Sequence, residues 1–195
     1  MKTILLAGGM GTRISEETKK IPKPMIKIGK IPILLHIMKH YSNYQFKEFI
    51  ICAGYKHSFV NNFFRNKKNF SKNEKDWKIN VVNTGLKTQT AARIKKIKKF
   101  LANEEMFFLT YGDGISNVNL NKVLNFHKKH KKIATLTAVR PIPRFGNIKL
   151  KKNKVSEFSE KDRLQEGWIN GGFFILNKEV FNYIDNNINR IFEKE

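Results

Sequence analysis

The sequence predicts an α/β fold: a mostly parallel central sheet flanked by helices, with a small added antiparallel portion. Three observations carry this. Up to about residue 130, short apolar runs alternate with segments of helical apolar spacing, the pattern of strands joined by crossover helices. After Pro141 the runs become short strands with no helix between them, as an antiparallel addition requires. Two of the apolar runs end in glycine-bearing loops, Gly8-Gly9-Met10-Gly11 and Gly112-Asp113-Gly114, and open α/β sheets bind ligands at that edge. A chain of 195 residues that is 41% hydrophobic suits a single domain, 1–195, and has enough apolar surface to exclude wholesale disorder.

The elements follow in order. Thr3–Ala7 reads as a buried strand. A polar loop and the stiff tripeptide Pro22-Lys23-Pro24 come next. Residues 31–43 place Ile33, Leu34, Ile37, Met38 and Tyr41 on one helical face. Lys47–Ala53 is a second buried strand and Ser58–Phe64 a short helix. Asn66–Lys78, polar and charged, reads as a linker. Lys78–Val82 is a third strand. Ala91–Leu101 is a helix with Ile94, Ile97 and Leu101 inward. Met106–Thr110 is a fourth strand, and Asn119–His130 a helix with Leu120, Val123, Leu124 and Phe126 inside. Ile133–Val139 is a β-branched strand. Short strands are expected near 145–150, 154–158 and 168–176, and a last helix from Lys178.

Charge and composition bound the function. The formal net charge is +22. It rests on 31 Lys against 7 Arg, and specific nucleic-acid readout prefers the guanidinium fork, so the excess reads as solvated lysine surface. Neither a nucleic-acid nor a membrane partner is expected; anionic small substrates suit the charge. The longest apolar runs, such as Phe49–Ala53, are too short to span a membrane. The first seven residues are too short for a signal-peptide core, so the chain reads as cytoplasmic. A lone cysteine, Cys52, excludes a disulfide framework and sits mid-strand as a core residue. The histidines His36, His40, His57, His127 and His130 form no metal-ligand pattern.

The candidate chemistry gathers at the glycine-rich loops. Leu6-Ala7-Gly8-Gly9-Met10-Gly11-Thr12-Arg13 ends a strand in closely spaced glycines, which lets backbone N–H groups approach a phosphate. Arg13 would add bidentate charge. The segment is neither a P-loop nor a dinucleotide fingerprint, since no Gly-Lys-Ser/Thr follows and Ile14 replaces the third glycine. Lys23, stiffened by prolines on both sides, suits charge neutralisation during group transfer, or a surface turn. Asp113 suits a Mg²⁺ ligand, or a common Asp-Gly turn. The run Thr84–Arg93, with Thr88 and Thr90, suits an anion at a helix start, or a plain capped helix. Glu160-Lys161 and Asn170-Gly171-Gly172 say little by spacing alone.

Jointly these segments resemble the sugar-phosphate nucleotidyltransferases, whose signature Leu6–Arg13 followed by Pro22-Lys23-Pro24-Met25 matches. The finer resemblance is to the glucose-1-phosphate cytidylyltransferases. It rests on Ser15-Glu16-Glu17-Thr18, His36-Ile37-Met38, Tyr111-Gly112-Asp113-Gly114, Arg144-Phe145-Gly146 and Ile169-Asn170-Gly171-Gly172-Phe173-Phe174. The resemblance runs in order along essentially the whole chain. It implies a Rossmann-like nucleotidyltransferase fold. It also implies in-line attack by a glucose 1-phosphate oxygen on the α-phosphorus of CTP, assisted by Mg²⁺, giving CDP-glucose and pyrophosphate. On this resemblance Leu6, Ala7, Gly8, Gly9, Met10, Gly11, Thr12 and Arg13 cradle the nucleotide. Lys23 holds phosphate charge beside Arg13, Thr88 and Arg93 touch the nucleotide side, and Gly112 lines the same pocket. Asp113 binds Mg²⁺. Gly146, Glu160, Lys161, Asn170 and Gly171 serve the sugar phosphate. A homo-oligomer is compatible with this reading.

The chain departs from the pattern in three places. Ala91-Ala92 stands where glycines are common, and Asn66–Lys78 looks shortened. The resemblance also implies a further C-terminal segment with a second metal-binding aspartate, which this sequence lacks. The readings to be separated are therefore an active cytidylyltransferase, a transferase using another nucleotide or sugar 1-phosphate, and a non-catalytic nucleotide-binding or sugar-phosphate-binding remnant. A polyanion-binding protein that relies on its charge is the fourth.

Overall fold

The computed structural model describes residues 1–11, 18–141, 146–159 and 167–194. They divide into two compact units: Met1–Thr135 with Gly172–Glu195, and Leu136–Gly171. The sequence alone suggested one domain.

In the first unit β1 (Thr3–Ala7) is central. It pairs in parallel with β4 (Glu48–Ala53) on one side and β6 (Met106–Tyr111) on the other, and β4 pairs in parallel with β5 (Lys78–Asn83). β10 (Ile169–Asn177) runs antiparallel to β6. Within that unit the described strands have the order β5-β4-β1-β6-β10, and β7 (Ala134–Val139) crosses the division between Thr135 and Leu136. Two short strands, β2 (Lys27–Ile28) and β3 (Ile31–Pro32), form a separate antiparallel pair.

The apolar runs are nearly continuous because both faces of the sheet are covered. Alternation sends Leu5, Phe49, Ile51 and Phe108 to one face, where they meet Leu34, Ile37, Met38 and Tyr41 of α1 (Ile33–Asn43) and Val60 and Phe64 of α2 (His57–Arg65). Ile4, Ile50, Cys52, Phe107 and Leu109 point to the other face, onto Ala91 and Ile94 of α3 (Thr90–Lys96) and Phe181. Each such Leu, Ile or Phe contributes about 1.5–3 kcal/mol by leaving water.

Local chemistry starts and stops the helices. Pro32, at φ −60°, precedes α1 without costing a hydrogen bond. Asn119 caps α4 (Leu120–His130) by accepting the Lys122 N–H at 3.0 Å. The expected helix over 91–101 is α3 followed by a 3-10 turn, Lys98–Leu101, with Ile94, Ile97 and Leu101 fully buried along it. The last expected helix is a 3-10 helix, Lys178–Asn182.

Two expectations are corrected. Asn66–Lys78 is not a linker: Trp77 and Phe70 pack into the core, and Glu74 is buried, closing a capping box with Ser71 and pairing with Lys39 at 2.8 Å. On α4, Phe126 is 62% exposed whereas His127 is 2% exposed. The inward face runs 120, 123, 124, 127, and the imidazole is admitted because both ring nitrogens find partners, Thr135 Oγ1 at 2.7 Å and Asn177 Oδ1 at 2.8 Å.

The second unit is built on the hairpin of β8 (Asn147–Lys151) and β9 (Lys154–Ser159), paired Ile148↔Phe158 and Leu150↔Val155. Lys149 and Glu157 form an ion pair at 2.6 Å, and Arg140 lies over the Trp168 ring at 4.7 Å.

Candidate active site

Because β1, β4, β5 and β6 are parallel and in register, their carboxyl ends lie along one edge: Ala7 beside Ala53, Ala53 beside Asn83, Leu6 beside Tyr111. Segments distant in sequence therefore emerge together. They enclose a cleft of about 320 Å³ in the first unit. Leu6–Gly9 and Gly11 form one wall, Thr88, Gln89, Thr90 and Arg93 another, and Lys23, Pro24, Tyr111 and Asp113 complete it.

The loop after β1 turns through Gly11, whose φ of +67° and crowding against Thr18 Cγ2, 2.8 Å from an added Cβ, admit glycine. Lys23 opens a 3-10 turn set by Pro22 at φ −69°, and buried Pro24 and Met25 anchor that turn. Its Nζ donates to Asp113 Oδ2 at 2.6 Å. Gly112 backs the wall, donating its N–H to Leu6 O at 2.9 Å. Met10 is half-exposed and lies outside the cleft lining.

Arg93 is buried, and its guanidinium is engaged with protein oxygens: Gly8 O at 2.9 Å, Gly85 O at 2.8 Å and Thr84 Oγ1 at 2.5 Å. Burial pushes its pKa down from the usual arginine range, with the nearby Cys52 thiol opposing the shift. Burial likewise pushes the Cys52 thiol up to about 12. Thr88 is buried, and its hydroxyl accepts from Lys96 Nζ at 3.1 Å.

The structure thus brings together Leu6, Ala7, Gly8, Gly9, Gly11, Lys23, Thr88, Arg93 and Asp113. Thr12, Arg13, Glu160 and Lys161 lie outside the described residues. Gly146, Asn170 and Gly171 belong to the second unit. Sequence reasoning missed Tyr111, Gln89 and the carboxylate of Glu193. Glu193 accepts from the Tyr111 hydroxyl, and from Thr90 Oγ1 at 3.1 Å. Gln89 and Thr90 fall inside the polar run already singled out; nothing local marks Glu193.

Among the described residues no three His, Cys, Asp or Glu side chains cluster to hold a metal alone. Among the described residues lining the cleft the carboxylate is Asp113, across from the Gly8–Gly11 loop. That donor set fits Mg²⁺, which takes one or two protein carboxylates and completes its shell with phosphate and water.

The family profile described as "Nucleotidyl transferase" matches residues 2–194. The chain belongs to this nucleotidyl transferase family. Among its nucleotidyl transferase relatives is the glucose-1-phosphate cytidylyltransferase of Salmonella typhimurium, 41% identical over 95% of this chain and 79% of that protein. The probable glucose-1-phosphate cytidylyltransferase of Bacillus subtilis is 39% identical over 100% of this chain and 82% of that one. The fold is shared with the crystal structure of HddC from Yersinia pseudotuberculosis, at a TM-score of 0.73 and 22% identity, covering 98% of this chain and 83% of that one. The expected mostly parallel, Rossmann-like transferase sheet is the observed one. No described helix is long and apolar enough to cross a membrane.

Proposed function

We propose that the chain transfers a cytidylyl group from CTP to glucose 1-phosphate, giving CDP-glucose and pyrophosphate, in the cytoplasm. The observation that carries the chemistry is the Lys23–Asp113 pair beside the Gly8–Gly11 loop in one cleft. The choice of CTP and glucose 1-phosphate rests on the relatives at 41% and 39% identity.

A sugar-phosphate oxygen attacks the α-phosphorus. The new P–O bond forms as the bond to the bridging oxygen breaks, and pyrophosphate leaves with that electron pair. The nucleophile is already an anion, so no general base is required; the protein positions and neutralises. Backbone N–H groups of the Gly8–Gly11 loop, with Thr12 and Arg13, hold the triphosphate. Lys23 offsets negative charge that builds on the phosphates. Thr88 lies on the nucleotide side. Gly146, Glu160, Lys161, Asn170 and Gly171 serve the sugar phosphate. Asp113 would hold Mg²⁺, which supplies Lewis-acid neutralisation of phosphate charge when bound.

Pyrophosphate release from a panel of nucleoside triphosphates, each paired with several sugar 1-phosphates, tests this reading. Release with CTP and glucose 1-phosphate well above every other pair is expected. Release confined to GTP would overturn the base assignment, and absence of both release and nucleotide binding would overturn the transferase reading.

A further inference from the structure

Arg93 is 4% exposed, yet no described carboxylate pairs with it. Four of its five N–H donors end on neutral protein oxygens. Nη1 donates to Thr84 Oγ1 at 2.5 Å and Gly85 O at 2.8 Å; Nη2 donates to Gly8 O at 2.9 Å and Leu86 O at 3.4 Å. These acceptors sit on two loops that meet nowhere in sequence, the one after β1 and the one after β5. Room for the guanidinium is built in: a Cβ on Gly8 would stand 2.1 Å from Nη1, and one on Gly54 2.5 Å from it.

The Gly8 carbonyl is held twice, by Arg93 and by the Tyr55 N–H at 3.1 Å. In a trans peptide the carbonyl and the following N–H point in opposite directions. Fixing Gly8 O toward Arg93 therefore aims the Gly9 N–H the opposite way within the peptide plane, and no described residue accepts it. Gly9 itself lines the cleft.

We infer that Arg93 is a positioning residue: it clamps the loops after β1 and β5 through Gly8 and Gly85 and so presents the Gly9 N–H to the anionic substrate. A direct nucleotide contact would have only the Nε–H left to use. The inference rests on the proposed reaction for its ligand, but the clamp itself is a property of the free protein. Lysine cannot substitute, because one ammonium cannot meet four acceptors spread across a planar fork. No described carboxylate cancels the guanidinium charge, so it also raises the positive potential of the cleft.

The full chain carrying Arg93→Ala, and separately Arg93→Lys, tests this with two readouts. Amide hydrogen exchange in the ligand-free proteins should speed up at Tyr55 by about tenfold or more in both variants, while β1 and β4 core amides keep their protection. Turnover should fall by about 10²-fold, the scale of a misplaced binding group, and added guanidinium should restore part of it in Arg93→Ala where methylammonium does not. Wild-type exchange at Tyr55 in both variants would overturn the clamp, and with lost CTP binding it would make Arg93 a direct ligand. If the unsubstituted chain turned over no nucleotide, the proposed reaction would fall, and the exchange measurement would still decide the clamp.

Discussion

Replacing Lys23 by Ala separates catalysis from stability. The Lys23–Asp113 pair is short, 2.6 Å, but its side chains are 29% and 34% exposed. An ion pair with that much water around it contributes about 0.2–1 kcal/mol once solvent screening is counted. The backbone around Lys23 is held independently, by Pro22, Pro24 and buried Met25. Lys23→Ala should therefore shift the urea midpoint by no more than about 1 kcal/mol in stability. If Lys23 stabilises the charge that builds during transfer, turnover should fall by about 10²–10³-fold, equivalent to about 2.7–4 kcal/mol of transition-state stabilisation. The two losses then differ by a factor that assay error cannot bridge. Pyrophosphate release at saturating CTP and glucose 1-phosphate gives one number, and urea unfolding followed by tryptophan fluorescence gives the other. Turnover within about threefold of the unsubstituted chain would refute the reasoning, because a preorganised donor cannot be lost so cheaply. Equal losses in both numbers would reduce Lys23 to a partner of Asp113.

Three further outcomes follow from the packing. Cys52, buried and pushed up to about 12, should resist thiol reagents at pH 8 in the native chain and react fully in 6 M urea. His127→Ala should cost about 1–3 kcal/mol by taking the partner from Asn177 Oδ1 and removing a buried ring, with Thr135 keeping His130 at 2.6 Å, whereas Phe126→Ala should change stability by less than about 0.5 kcal/mol, both read from urea unfolding. Burial alone would raise the Glu74 pKa, but Lys39 and the Ser71 hydrogen bonds outweigh it and hold the carboxyl below the usual range. Its stabilisation is present above the unfolded glutamate pKa of about 4.3 and is lost as pH falls through the lower folded value, so Glu74→Gln should flatten the acid limb of a stability–pH curve.

Much of the fold was legible along the chain because its cause is local. The runs Ile4–Ala7, Phe49–Ala53 and Met106–Leu109 are apolar at every step, and a strand covered on both faces suits that composition. The spacing of Ile33, Leu34, Ile37, Met38 and Tyr41 marks α1 for the same kind of reason. The glycines at 8, 9 and 11 and the prolines around Lys23 announce a loop and a stiff segment by backbone chemistry alone.

Where a residue's partner lies far away in sequence, only the tertiary structure decided. Asn66–Lys78 looked like a linker because Trp77 and Phe70 are sparse among charges; they are core because Phe49 and Phe64 receive them. His127 is inside and Phe126 outside because Thr135 and Asn177 satisfy the imidazole. Lys23 and Asp113 are 90 positions apart, and parallel pairing of β1 with β6 sets them at one edge. Along the chain the run Thr84–Arg93 suits either an anion at a helix start or a plain capped helix, and the resemblance sets Arg93 against the nucleotide. In the folded chain its donors are met by Gly8, Thr84, Gly85 and Leu86. Composition and periodicity determine which segments become strands and helices, because those depend on neighbours a few residues away. Which hydrogen bonds a buried cation makes depends on where two distant loops end, and register across the sheet alone settles that.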